Sequence, residues 1–353
     1  MTLASPAPTK RRFLSKRMLF AAVGVVVIVA TFAYFLPTIA DYRDVWRVVK
    51  GLSWRWVVAL LTATALNLAT FAPPWIILLP GLRFWPALMT TQAATALSIV
   101  FPGGAAVGVA GAYGMLRRRG FPPAQVARAV TLVSVWNQLA NLAYPILALF
   151  LLTAEGAETA VLSTAAFVGV AILGVAIAGL GLVLYSGRMA KDIGDIFARL
   201  TNWARRRVLR RGPVSWGGPE FERFRRDAVG VLRKRWHVLT LATFAGSLTV
   251  FAVLLVSLRA LGVSGEEVTF AEAFAAWSLA RILGTIPITP AGIGVVELSL
   301  TATLIGFGGA NAEVVAAVLV FRFLTMVPTI LLGLLAAATW RRSLRKLAAA
   351  PPT

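Results

Sequence analysis

Phe101-Pro102-Gly103-Gly104 in the first half of the chain and Ile288-Thr289-Pro290-Ala291-Gly292-Ile293-Gly294 in the second each interrupt sequence apolar enough for lipid. Hydrocarbon cannot hydrogen-bond a freed backbone amide or carbonyl. Non-helical chain at membrane depth therefore survives only inside protein or beside a water-filled cavity. A pair of Pro/Gly breaks at corresponding places in two halves points to a transporter-type binding site.

Composition agrees with a membrane setting. Of 353 residues, 58% are hydrophobic and 14% charged, and several apolar runs reach the roughly 18 residues that mark a membrane helix. The expected class is an all-α polytopic membrane protein. The net charge is +21, yet Lys and Arg fall between apolar segments and form no single basic face with interleaved aromatics. They read as topology and lipid-surface charges, and nucleic acid is not an expected partner. The chain has no cysteine, which excludes disulfides and thiolate metal sites, and its one histidine, His237, has no second histidine with which to bind a metal. No cofactor is expected.

The apolar segments fall at 18–36, 54–79, a broken segment 86–116, 125–152, 160–185, 237–258, a second broken segment 271–307, and 313–340. The first follows Lys10, Arg11, Arg12, Lys16 and Arg17 and is longer than a signal core, so it reads as a retained helix. If both broken segments enter and leave on one face, the positive-inside rule places nearly all basic clusters in the cytoplasm. These are the tail 1–17, Arg83, Arg117-Arg118-Arg119, the basic loop 186–236 and the tail 341–353. Asp41, Asp44, Glu155, Glu158, Glu266, Glu267, Glu272 and Glu313 then lie outside. The prediction is six full transmembrane helices plus two re-entrant hairpins, with both termini cytoplasmic, in the plasma (inner) membrane. Each half has the order helix, amphipathic connector, helix, broken hairpin, helix, and Pro145 and Pro328 fall at similar places in the helix after each hairpin. Residues 18–152 and 160–340 thus read as an inverted repeat.

Arg281, Glu297 and Arg322 lie inside apolar segments, where each costs roughly 2.5–3.5 kcal/mol at a helix centre. Counting inward at about 1.5 Å per residue places all three near the bilayer middle. An Arg281–Glu297 ion pair would close the second hairpin and leave Arg322 with spare positive charge for an anionic headgroup, helped by amides exposed at Pro290, Gly292 and Gly294. In the alternative, Glu297 only neutralises the arginines and locks the hairpin to the last helix. Asn137, Gln138 and Asn141 lie at similar depth after the first break of Pro102, Gly103 and Gly104, with Gln92 before it. Buried amides of this kind act as helix-to-helix partners or as ligands. Catalysis is not expected, since no nucleophile–base pair, HExxH spacing or phosphate-cradling loop occurs.

The run Pro287-Ile288-Thr289-Pro290-Ala291-Gly292-Ile293-Gly294-Val295-Val296-Glu297, followed by Arg322 in an apolar helix, resembles the lysylphosphatidylglycerol synthase transmembrane (flippase-like) family. Pro102-Gly103-Gly104, Arg117-Arg118-Arg119-Gly120 and Trp136-Asn137-Gln138 resemble its first-half pattern. Ala291 stands where the family usually has a second glycine, and Val109 and Ala110 stand where some members carry a charge. The resemblance implies a protein that moves a polar or anionic lipid between leaflets: a phospholipid, a glycolipid or a polyprenyl-phosphate lipid. Aminoacyl-lipid members add an aminoacyl-transfer domain after the membrane part, and with the sequence ending at Thr353 synthase activity is not expected. The expected partners are membrane lipids with anionic headgroups. A non-transporting scaffold for a cell-envelope enzyme and a small-solute permease are the alternatives.

Overall fold

The computed structural model describes residues 47, 49–101, 104–156, 160–209, 216–286, 289 and 292–348. The expected first helix at 18–36 lies outside them, as do Pro102, Gly103, Pro290, the tail 1–17 and residues 349–353. Regular structure among the described residues is helical throughout. We number the helices α1 (Trp54–Thr70), α2 (Pro73–Leu78), α3 (Phe84–Val100), α4 (Gly104–Arg118), α5 (Pro123–Ala154), α6 (Ala160–Tyr185), α7 (Gly187–Ala204), α8 (Gly218–Ala260), α9 (Phe270–Thr285), α10 (Val295–Gly306) and α11 (Asn311–Ala348). Five stretches are long and apolar enough to cross a membrane: Trp54–Leu78, Pro123–Ala154, Phe167–Tyr185, Gly218–Ala260 and Asn311–Ala336.

Within the basic connection 186–236, the described residues 186–209 and 216–236 are largely helical. Ser186 caps α7 by accepting the Met189 N–H, and α8 begins at Gly218 and runs without interruption to Ala260. Its charged first turns carry the ion pairs Glu220–Arg223 and Glu222–Arg225, three residues apart on one face. Such pairs support a helix, and the run Arg233-Lys234-Arg235 lies inside α8.

Two separate cores organise the bundle. One joins Leu82 just before α3 and Leu88 near its start to Leu116 at the end of α4, with Val126 of α5 and Leu232 of α8. Both arms of the first hairpin therefore end at the same extremity of the bundle. Arg235 donates to the Ile77 carbonyl there at 2.6 Å, Arg225 to the Leu184 carbonyl at 2.7 Å, and Arg128 lies 3.7 Å from Asp227. The other core joins Phe274 at the start of α9 to Leu304 near the end of α10, with Tyr144 of α5, Leu258 of α8 and Phe321 of α11. At this opposite extremity Thr269 donates to Glu155 at 2.7 Å, and Gly262 lies against Glu313. The first of these ends carries most of the described basic residues, while at the other Glu155, Glu266, Glu267, Glu272 and Glu313 nearly balance Arg47, Lys50, Arg55 and Arg259. The arms α3 and α4 pack together and α3 lies on α11; the arms α9 and α10 pack together and α9 lies on α5. α1 packs against α8.

Candidate functional site

Where the hairpin tips approach each other, against the first core's Trp75, Ala112 and Val130, lies a cavity of about 1020 Å³. The first hairpin lines it with Thr91, Thr95, Ser98, Gly104 and Gly108, and the second with Gly284, Thr285, Ile286 and Thr289. α5 adds Ser134, Asn137 and Gln138, and α8 adds Thr243 and Gly246. No described lining residue carries a charge.

Four hydroxyls of this wall are satisfied by their own helices. Thr91 donates to the Ala87 carbonyl at 2.9 Å, Ser98 to Ala94 at 3.1 Å, Ser134 to Val130 at 2.9 Å and Thr285 to Ile282 at 2.6 Å. A hydroxyl has one proton and two lone pairs, so these groups turn acceptors toward the cavity. Thr289 differs: its Oγ1 is buried with no hydrogen-bond partner.

A donor is supplied by an amide relay. Arg281 donates from Nε and Nη2 to Asn141 Oδ1 at 3.1 and 2.6 Å, and Asn141 Nδ2 donates to Gln138 Oε1 at 3.1 Å. A guanidinium can only donate, which fixes the Asn141 oxygen toward Arg281 and its NH₂ toward Gln138. Gln138 therefore uses its oxygen internally and keeps its NH₂ for the cavity. Arg281 itself sits over the rings of Trp277 and Tyr144, 5.0 and 5.7 Å from their centroids, a cation–π seat that holds the charge in place.

The breaks are seated differently. An added Cβ at Gly104 would run into the Ser98 carbonyl, and one at Gly108 into Ser98 Oγ and the Ala94 carbonyl. The arms of the first hairpin thus touch backbone to backbone. In the second break Gly292 and Gly294 take φ of +66° and +84°, open to glycine at little steric cost. Glu297 Oε2 accepts the Gly294 N–H at 2.8 Å, and its Oε1 accepts Arg322 Nε at 2.6 Å. Both side chains of the ion pair are largely buried, at 11% and 13% exposure. The pairing differs from the expected Arg281–Glu297 bridge, because Arg281 faces α5 and its aromatic seat while Glu297, in the first turn of α10, faces α11.

The family described as Lysylphosphatidylglycerol synthase TM region matches residues 20–333. The chain belongs to this family. It is an integral membrane protein with several apolar helices. None of the curated proteins compared with it matches the chain.

Within this family member, Gly104, Asn137 and Gln138 line the cavity, as does Thr289 of the second motif. Arg281, Glu297 and Arg322 are not among the described lining residues; they stand behind it, Arg281 through the relay and the other two at the base of the second break. Gln92 is a helix-to-helix partner, donating to the Leu68 carbonyl at 3.2 Å and accepting from Thr329 at 2.9 Å. The wall residues missed in the sequence are Thr91, Thr95 and Ser98, whose spacing of four and three residues places hydroxyls on one face of α3.

Proposed function

We propose that this chain is a flippase-like transporter that carries the polar headgroup of a membrane lipid through the cavity between its two hairpins, leaving the acyl chains in the bilayer. The observation that carries this reading is the meeting of both hairpin tips, the Gln138 amide and a hydroxyl-lined wall around one cavity. The crossed packing of α3 on α11 and α9 on α5 supports two re-entrant hairpins in an inverted repeat. The basic end is the cytoplasmic one by the positive-inside rule.

The chemistry favours an oxygen-rich headgroup. Gln138 offers N–H donors that suit a phosphodiester or glycosyl oxygen, and the back-bonded hydroxyls accept from headgroup hydroxyls. Arg281 adds positive potential through Asn141 without forming an ion pair with the cargo. Glu297 and Arg322 act as the pin of the second break.

Translocation of fluorescent phospholipids, glycolipids and a polyprenyl phosphate by the purified protein in liposomes tests the reading. Wild type is expected to move at least one class, and Gln138→Leu, at a half-open cavity position, to slow it about tenfold for one lost hydrogen bond of ~1.4 kcal/mol. Absence of movement for all three classes, with the protein correctly inserted, sinks it.

A further inference from the structure

Outside the cavity, α7 presents a surface the transport reading does not use. Met189, Ile193, Ile196, Leu200 and Trp203 recur at steps of four and three residues, a single apolar stripe on this helix. The stripe is open: Leu200 is 56% and Trp203 62% exposed, and the adjoining Tyr185 of α6 is 89% exposed.

The rest of α7 is already engaged. Its small residues pack on α8: Ala190 is buried, and an added Cβ at Gly187 or Gly194 would meet the Glu222 carboxylate at 2.7 Å or Phe221 at 2.8 Å. Asp195 accepts the Gly218 N–H at 2.8 Å and so caps α8. Glu222 holds Arg225 at 2.9 Å, and Arg225 reaches the Leu184 carbonyl at the end of α6. The corner between α6, α7 and α8 is therefore fixed, and Phe197 at the edge of the stripe stacks on Phe221 at 6.1 Å.

We infer that α7 is an in-plane anchor whose apolar stripe seats in the headgroup–acyl boundary of an anionic leaflet. Two features identify the bilayer as the occupant. The helix starts at Gly187, two residues after the end of the apolar helix α6, with Ser186 in extended conformation turning the chain. It cannot stand far from the membrane surface. Exposed Arg188 and Arg199 border the stripe, with Asp192 beside them, and exposed Arg206 and Arg207 follow the helix, a net-positive border of the kind that draws an interfacial helix to anionic lipid. Its apolar face would sink about 5–10 Å, to the acyl boundary.

The absence of cysteine allows clean single-cysteine labelling of the full chain. Spin labels at Leu200→Cys on the stripe and Lys191→Cys, exposed on the far side of the helix, would be compared in phosphatidylcholine vesicles with and without phosphatidylglycerol, by collision with oxygen and with a water-soluble nickel complex. The expected result is several-fold lower nickel accessibility at position 200 than at 191, falling further with phosphatidylglycerol. Equal nickel accessibility at the two positions overturns the anchor. A dry position 200 that ignores phosphatidylglycerol overturns the anionic preference. Neither readout depends on lipid translocation, so this inference and the transport reading fail separately.

Discussion

The two hairpins solve one problem, the seating of a broken helix inside an apolar bundle, with different chemistry. The first relies on contact. Gly104 and Gly108 let the arms meet at backbone distance, Gly333 of α11 lies against Ala93 and Ala96 of α3, and Gln92 ties α3 to α1 and α11 with neutral hydrogen bonds. The second relies on charge. Glu297 holds the turn by the Gly294 N–H and the neighbouring helix by Arg322, while Arg281 is held by an amide and two aromatic rings. Close packing has no electrostatic cost but tolerates no added atom. An ion pair spans a gap and directs its partners, yet it depends on both members being present.

That difference orders the expected damage. The largest effect is at Glu297→Ala, which removes the carboxylate that neutralises the buried Arg322 charge and is expected to cost about 3–5 kcal/mol of stability, read by thermal unfolding of the purified protein. Adding Arg322→Leu should restore much of that loss, since the buried positive charge is gone; no recovery would break the assignment of charge as the pin. Next is Gly108→Ala, where the new methyl meets Ser98 and the Ala94 carbonyl and is expected to cost about 1–3 kcal/mol as overpacking. Full stability there would mean that the first hairpin does not depend on close contact. The smallest effect is at Thr329→Val, which removes the hydrogen bond to Gln92 and should cost only about 0.6 kcal/mol, the average for interhelical hydrogen bonds in a membrane bundle.

The breaks were legible because Pro and Gly report backbone conformation locally. Gly292 and Gly294 do take positive φ. Glu155 and Thr269, distant in sequence, meet at one end of the bundle. The ion pair was not legible. Counting residues gives depth along a helix axis but no direction around it, so Glu297 had two arginines at one level and the choice depended on helix rotation. The neutral wall was hidden for another reason: a Thr or Ser in an apolar helix can satisfy itself on its own backbone, so its residue type alone does not reveal a cavity. The helices within 186–236 were obscured because dense charge reads as solvated chain until the three-residue spacing of Glu220–Arg223 and Glu222–Arg225 is noticed.

The back-bonded wall bears on residence time. Thr91, Ser98, Ser134 and Thr285 each keep their hydrogen bond whether the cavity holds a headgroup, water or neither. A departing headgroup therefore leaves no stranded donor on these four residues, and the penalty of an unmet buried group does not hold it back. Passage requires binding strong enough to admit the cargo and weak enough to release it. Four hydroxyls already satisfied in the empty cavity favour fast exchange, and Gln138 and the partnerless Thr289 Oγ1 are the places where a headgroup would linger.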